Sequence, residues 1–186
     1  LMRQHMTAVK AAASLCDARL EGATVGSDTL VFEPRREVEA RDATFKIGTA
    51  GSTGLVFQTL LPALMCAEQA CEITIHGGTH NPMAPSFDFL KSVFLPQLQA
   101  VGPHVELSCE AHGFYPAGGG VLRARIEPVA REAMKRYVMC DAGDEVSRRA
   151  DVLSANLPSG IARREAEAFA QKMGWDLSEC RCREVD

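Results

Sequence analysis

Apolar residues along this chain recur at two different spacings, and the changes of spacing outline its elements. Between residues 3 and 16, Met6, Val9, Ala12, Ala13 and Cys16 fall at three- and four-residue intervals, while Arg3, Gln4 and Lys10 lie elsewhere on the wheel. That is one face of a helix. Ala23-Thr24-Val25 and Thr29-Leu30-Val31-Phe32 read as short strands about the turn triplet Gly26-Ser27-Asp28. A charged connection from Arg35 to Asp42 leads to a further strand at Ala43–Ile47. Residues 55–65 are apolar almost throughout and predict a buried helix, kinked or restarted near Pro62. Residues 71–76 alternate as a strand. Helical spacing returns over 86–99, with Phe87, Leu90, Val93, Phe94 and Leu98 on one face and Pro96 near the last turn. Val105–Cys109 and Val121–Glu127 alternate again as strands.

After Pro128 the pattern changes. Arg131 to Arg136 is polar and opens a second module. Val152–Leu157 predicts a strand and Ile161–Met173 an amphipathic helix, with Ser159 as N-cap and Gly174 as the C-terminal stop. Helices alternating with mixed strands predict an α/β (α+β) fold with helices packed on one sheet face. Residues 1–130 form its repeat units, and 131–186 the beginning of a smaller α/β domain. The chain opens inside a helical pattern and closes inside a strand-like run, which predicts a portion of a longer polypeptide.

Two loops hold an unusual density of special residues. One is His76-Gly77-Gly78-Thr79-His80-Asn81-Pro82-Met83-Ala84-Pro85, the other His112-Gly113-Phe114-Tyr115-Pro116-Ala117-Gly118-Gly119-Gly120. Gly supplies backbone freedom and Pro removes it, so both loops are shaped rather than merely reversing the chain. The net charge of −4 argues against a broadly basic nucleic-acid platform, and leaves room for a local phosphate grip. Seven cysteines occur with no CxxC pair, which predicts reduced thiols and a cytoplasmic protein. No apolar run is long enough for a membrane helix.

Gly48–Gly54 joins a strand to a helix. Backbone amides at such a helix start suit a phosphate, but no Gly-Lys-Ser/Thr follows, so a tight turn with glycines for close packing is favoured. Gln58 lies one turn into an apolar helix, where a buried amide must find partners. His76, His80 and His112 lack the supporting carboxylates of a metal set, and His80 beside Asn81 reads as a hydrogen-bonding loop residue. Pro85 and Phe89, four apart at a helix start, share a face that packs or flanks a planar ring. Arg3, Gln4 and His5 are surface polar residues with anion binding as the sharper option.

Five strings in register give a closer match: residues 1–12, Gly-Thr-Ala-Gly-Ser at 48–52, Gln-Thr-Leu-Leu-Pro-Ala-Leu at 58–64, Gly-Gly-Thr-His-Asn-Pro-Met-Ala-Pro at 77–85, and His-Gly-Phe-Tyr-Pro-Ala-Gly-Gly-Gly at 112–120. Together they resemble the RNA 3′-terminal phosphate cyclase family. The resemblance implies repeated βαβαββ-type units with a small inserted α/β domain. It implies an ATP-dependent enzyme, with magnesium or another divalent cation, that adenylates its own histidine. The AMP then passes to an RNA 3′-phosphate, and the 2′-hydroxyl closes a 2′,3′-cyclic phosphate. It makes Gln58 an ATP contact, and Pro85 and Phe89 the lining of an adenine pocket, with Asn81 in the same loop. Gln4, flanked by Arg3 and His5, is placed near the phosphates. The family's N-terminal glycine-rich motif and its nucleophilic histidine have no counterpart here. His5, His76, His80, His104 and His112 do not stand in that histidine's place, so the chain alone is expected to be inactive. The alternative is a non-catalytic cyclase-like protein of RNA processing or ribosome assembly.

Overall fold

In the computed structural model, residues 43–127 run β-α-β-α-β-β. Strand β3 (Ala43–Lys46), helix α2 (Thr53–Leu64), strand β4 (Cys71–Gly77), a helical stretch over 87–99, and strands β5 (His104–Ala111) and β6 (Gly120–Glu127) follow in order. The strands lie side by side as β3-β4-β6-β5, with β3 and β4 parallel and the other pairs antiparallel. The structure describes residues 1–141, 143–144 and 147–186.

Alternation in β4 and β6 fixes the register. Cys71 opposes Ile126, Ile73 opposes Ala124 and Ile75 opposes Leu122, all buried on the helix-bearing face. A slip of one residue would turn that row to solvent. The opposite face is polar, and there Arg123 meets Glu110 at 2.9 Å and Glu72 at 3.7 Å. Helix α2 covers the apolar face with Val56, Phe57, Leu60, Leu61 and Leu64, all almost fully buried.

Helix α1 (Arg3–Cys16) and the antiparallel pair β1 (Arg19–Glu21) and β2 (Val31–Glu33) precede this run. Their order, α-β-β, repeats its last three elements. The helix has the predicted bounds, but its first strand does not. β1 lies at 19–21 rather than at Ala23–Val25, because Gly22, at φ +70, already turns the chain. The charged connection 35–42 is irregular yet anchored: Arg35, Arg36 and Glu39 donate their amides to carbonyls at the end of α1.

Pro62 does not break α2, which continues to Leu64. It has no N–H to offer the carbonyl of Gln58, four residues back. The helical stretch over 87–99 is less regular than predicted. A π-helical turn at Leu90–Phe94 joins α3 (Phe87–Phe89) to α4 (Leu95–Gln99), with Leu95 N donating to Leu90 O. The wider turn lets the chain accommodate Pro96 without an α-helical clash. It also rotates the face. Leu95 is buried, and Val93, predicted to face inward, is exposed.

Two compact units emerge, Leu1–Tyr137 and Val138–Asp186. Residues 129–137 are tied to the first, with Val129 N donating to Met65 O and Lys135 N to Val101 O. In the second, β7 (Ala150–Ser154), α5 (Ser159–Met173) and β8 (Cys180–Glu184) form a β-α-β unit with parallel strands. Helix α5 buries Ala162, Ala166 and Ala170, spaced four apart. Pro158 occupies its N-cap position, one residue before the predicted Ser159, and Gly174 caps it at φ +65.

Candidate functional site

The turn between β3 and α2 is built by close packing. A Cβ at Gly51 would lie 2.9 Å from Ile47 and 3.0 Å from Gln4, and one at Gly54 3.0 Å from both Pro85 O and Leu90. The tight-turn reading of these glycines therefore holds. Gly78 N donates to Gly51 O at 2.8 Å, and Gly78 O accepts from Thr53 N at 2.8 Å and Thr53 Oγ1 at 2.9 Å. The turn thus lies flat against the start of the 77–86 loop. Ser52 caps α2 by accepting from Leu55 N at 3.2 Å.

Gln4 reaches this turn from α1. Its Oε1 accepts from Ser52 N at 3.0 Å, which ties two segments 48 residues apart. Among the described residues its Nε2 meets no acceptor. His5, one residue on, caps its own helix: Nδ1 accepts from Met2 N at 3.1 Å. An imidazole nitrogen that accepts carries no proton, so the proton sits on Nε2 and that edge is a donor. Asn81 closes the far side, with Nδ2 donating to Ala50 O. Its Oδ1 is buried and has no hydrogen-bond partner, an arrangement that costs about 1–3 kcal/mol unless something supplies a donor.

These residues surround a cleft of about 740 Å³. Gln4, His5, Ser52 and Asn81 provide its polar groups, and Met2, Leu55, Pro82, Ala84, Tyr115 and Pro116 its apolar wall. Among the described residues no carboxylate lines it. Donors with an apolar wall suit an anionic ligand that also carries a flat, weakly polar part. Met83, on the rim, stands at φ +62, a costly conformation for a residue with a side chain. A groove of about 800 Å³ between residues 36–40 and 62–69 is slightly larger, but Glu37, Glu39 and Glu68 line it and none of the shaped loops reaches it.

Two of the sequence-predicted site groups separate here. Gln4, His5 and Asn81 share the cleft, and Arg3 is exposed and lies outside its lining. Gln58, Pro85 and Phe89 do not line it either. Chain neighbours of two of them do line it: Leu55, three residues before Gln58 on α2, and Ala84, immediately before Pro85. Gln58 also follows Gly54, which abuts Pro85 O, by one helical turn. Pro85 is not in a helix with Phe89. Ser86 is the N-cap of α3, its Oγ accepting from Phe89 N at 3.3 Å, so Pro85 precedes the helix and Phe89 is about half exposed.

His80 is a bridge that sequence reasoning saw only as a loop residue. Its Nδ1 meets Thr79 Oγ1 at 2.9 Å and its Nε2 meets Asp88 Oδ2 at 2.8 Å. Its ring stacks on Phe114 at 5.1 Å and His112 at 5.6 Å. Thr79 Oγ1 in turn accepts from Gly113 N at 2.9 Å. Both shaped loops are therefore pinned to one another below the cleft. His80 lies in the loop after β4 and Asp88 in α3, so no common helical or strand period joins them and the sequence carried no signal for the pair. Cys109, nearby, is held with its thiol pKa raised, chiefly by burial.

The description "RNA 3′-terminal phosphate cyclase" matches residues 1–173. The chain is similar to a protein of that name from Koribacter versatilis, 48% identical over 94% of this chain and 48% of the relative. It is similar to one from Pseudomonas fluorescens, 50% identical over 89% and 47%, and to one from Ectopseudomonas mendocina, 43% identical over 94% and 50%. The chain thus spans about half the length of these curated relatives. All cleft residues except Leu55 fall inside the strings at 1–12, 48–52, 77–85 and 112–120, so the match in sequence and the gathering in space coincide. The chain belongs to the RNA 3′-terminal phosphate cyclase family.

Proposed function

We propose that this chain supplies the phosphate-handling cleft of an ATP-dependent enzyme that converts an RNA 3′-terminal phosphate to a 2′,3′-cyclic phosphate. The observation that carries the reading is the cleft itself. Four segments far apart in sequence meet there, and they offer donors to an anion from Gln4 Nε2 and His5 Nε2 with no carboxylate to oppose it. An apolar wall that includes Met2, Leu55, Pro82 and Pro116 fits the flat ring of a purine nucleotide.

In this reading a histidine from polypeptide outside the chain attacks the α-phosphorus of ATP and pyrophosphate departs. The AMP passes to the RNA 3′-phosphate. The 2′-hydroxyl then attacks that phosphorus, loses its proton, and AMP leaves with the bonding electrons. Neither His5 nor His80 suits the nucleophile's part, because Met2 N engages His5 Nδ1, and Thr79 and Asp88 occupy both nitrogens of His80. Gln4 and His5 would orient phosphate oxygens. Gln58, Pro85 and Phe89 would flank the adenine, and Arg3 would add positive charge. Among the described residues no group of three His, Cys, Asp or Glu side chains is placed to hold a metal ion. Magnesium would neutralise the charge of the phosphates. Residues 138–186 would be the start of the inserted α/β domain. No described helix is long and apolar enough to cross a membrane, and a cytoplasmic enzyme acting on RNA ends fits that.

The test is incubation of the full-length protein with ATP labelled at the α-phosphate, followed by a search for an acid-labile protein–AMP adduct and for cyclic ends on 3′-phosphorylated RNA. No adduct and no cyclisation would reject the enzyme in favour of a non-catalytic relative. The chain alone is expected to bind ATP weakly; tight binding would contradict a site divided between this chain and further polypeptide.

A further inference from the structure

A second cavity, of about 330 Å³, shares Thr49 of the Gly48–Gly51 loop with the Gln4 cleft. Lys46 and His76 line it together with Gly48, Thr49, Gly77, Ala117, Gly119 and Gly120. Lys46 and His76 are register partners in the parallel pair β3–β4, so their side chains leave the same sheet face side by side. Elsewhere on that face charges are paired off, Arg123 with Glu72 and Glu110, and Arg125 with Glu127. Lys46 and His76 have no hydrogen bond or ion pair among the described residues, and no carboxylate lines their cavity.

The backbone beneath them is shaped to match. Gly48 and Gly119 stand at φ +74 and φ +82, and a Cβ built on either would meet no atom within 4 Å. The amides of Gly48, Thr49 and Gly119 donate to no group among the described residues. Turns with positive φ that leave backbone N–H groups unpaired form anion-binding concavities. An ammonium and an imidazole lining one cavity with such a turn favour an anion such as phosphate.

We infer that Lys46, His76 and the Gly48–Thr49 and Gly119 amides form a second phosphate subsite, and that it takes a backbone phosphate of the RNA substrate. The RNA assignment rests on the cyclase reading. Thr49 lines both cavities, so the two sites adjoin at one loop residue, an arrangement suited to a polymer that presents one phosphate after another.

Titration of the chain with inorganic phosphate, followed through the imidazole C–H resonances of His76, tests the subsite. A saturable shift is expected, lost in Lys46→Ala and restored in Lys46→Arg; no saturable shift overturns the subsite. A 3′-phosphorylated single-stranded RNA oligonucleotide, bound at several salt concentrations, tests the occupant. Lys46→Ala should weaken its affinity roughly tenfold, the loss of one charge-assisted bond, and lower the salt slope by about 0.7. An unchanged slope, or RNA that does not bind the native chain, overturns the RNA assignment even where free phosphate moves His76. Failure of the cyclase reading shows separately, as absence of the protein–AMP adduct, and leaves the phosphate titration standing.

Discussion

Replacing Gly78 by alanine tests the packing on which the cleft depends. The new Cβ would lie 2.4 Å from Ala50 O and 2.5 and 2.6 Å from the two amide atoms of Asn81. Ala50 O is backbone, and the Asn81 amide, although the end of a side chain, is held in place by its bond to that same carbonyl. Ala50 belongs to the turn that Gly78 itself holds through its amide, and Gly78 O is fixed by Thr53 N and Oγ1. Retreat would break two or three of these hydrogen bonds, so overpacking should cost about 1–3 kcal/mol. That corresponds to roughly 2–12 °C in melting temperature for a chain of this size. Thermal unfolding followed by circular dichroism measures it. The same substitution at Gly160, in the first turn of α5, meets no atom within 4 Å and requires no positive φ. There it should stabilise the helix by up to about 1 kcal/mol. Gly78→Ala melting within a degree of the native chain, or Gly160→Ala destabilising as much, would refute the argument. Asn81 must also move in Gly78→Ala, so nucleotide binding should fall more than the loss of stability alone explains.

His80→Ala removes the bridge between Thr79 and Asp88 and should lower the urea midpoint by an amount equivalent to about 1–3 kcal/mol; an unchanged midpoint would show that the loops are held otherwise. Leu60→Ala, at a fully buried position on α2, should cost about 2–5 kcal/mol by the same measurement. Burial raises the thiol pKa of Cys71, with Asp42 adding to it, and burial is also the main cause at Cys109. Exposed Cys140 and Cys182 should therefore react first with a thiol reagent at pH 8, and early labelling of Cys71 would contradict this. The same shifts set a pH dependence. Above the ordinary thiol value of 9.0 the unfolded chain loses these protons while the folded chain keeps them. The unfolded state then binds fewer protons, so stability falls as pH rises past about 9 until the buried thiols themselves ionise. Replacing both cysteines by alanine should flatten that decline.

Periodicity determined much of this protein by itself. The helices at 3–16 and 161–173, the strands near 43–47, 71–76 and 121–127, and the helix-bearing apolar face all follow from which residues recur at which interval, because burial acts on one face at a time. The two loops were legible as shaped because Gly and Pro constrain the backbone wherever they stand. Tertiary structure decided the rest. The π-turn that exchanges Val93 for Leu95 arises from fitting Pro96 into a packed helix, a demand that no apolar pattern encodes. The bridge from His80 to Asp88, the reach of Gln4 to Ser52 and the pairing of Lys46 with His76 join residues between 8 and 48 apart. Their proximity comes from how strands and loops stack. The sequence named Gln4, His5 and Asn81, and only the fold could place them around one cleft and leave Gln58, Pro85 and Phe89 outside its lining.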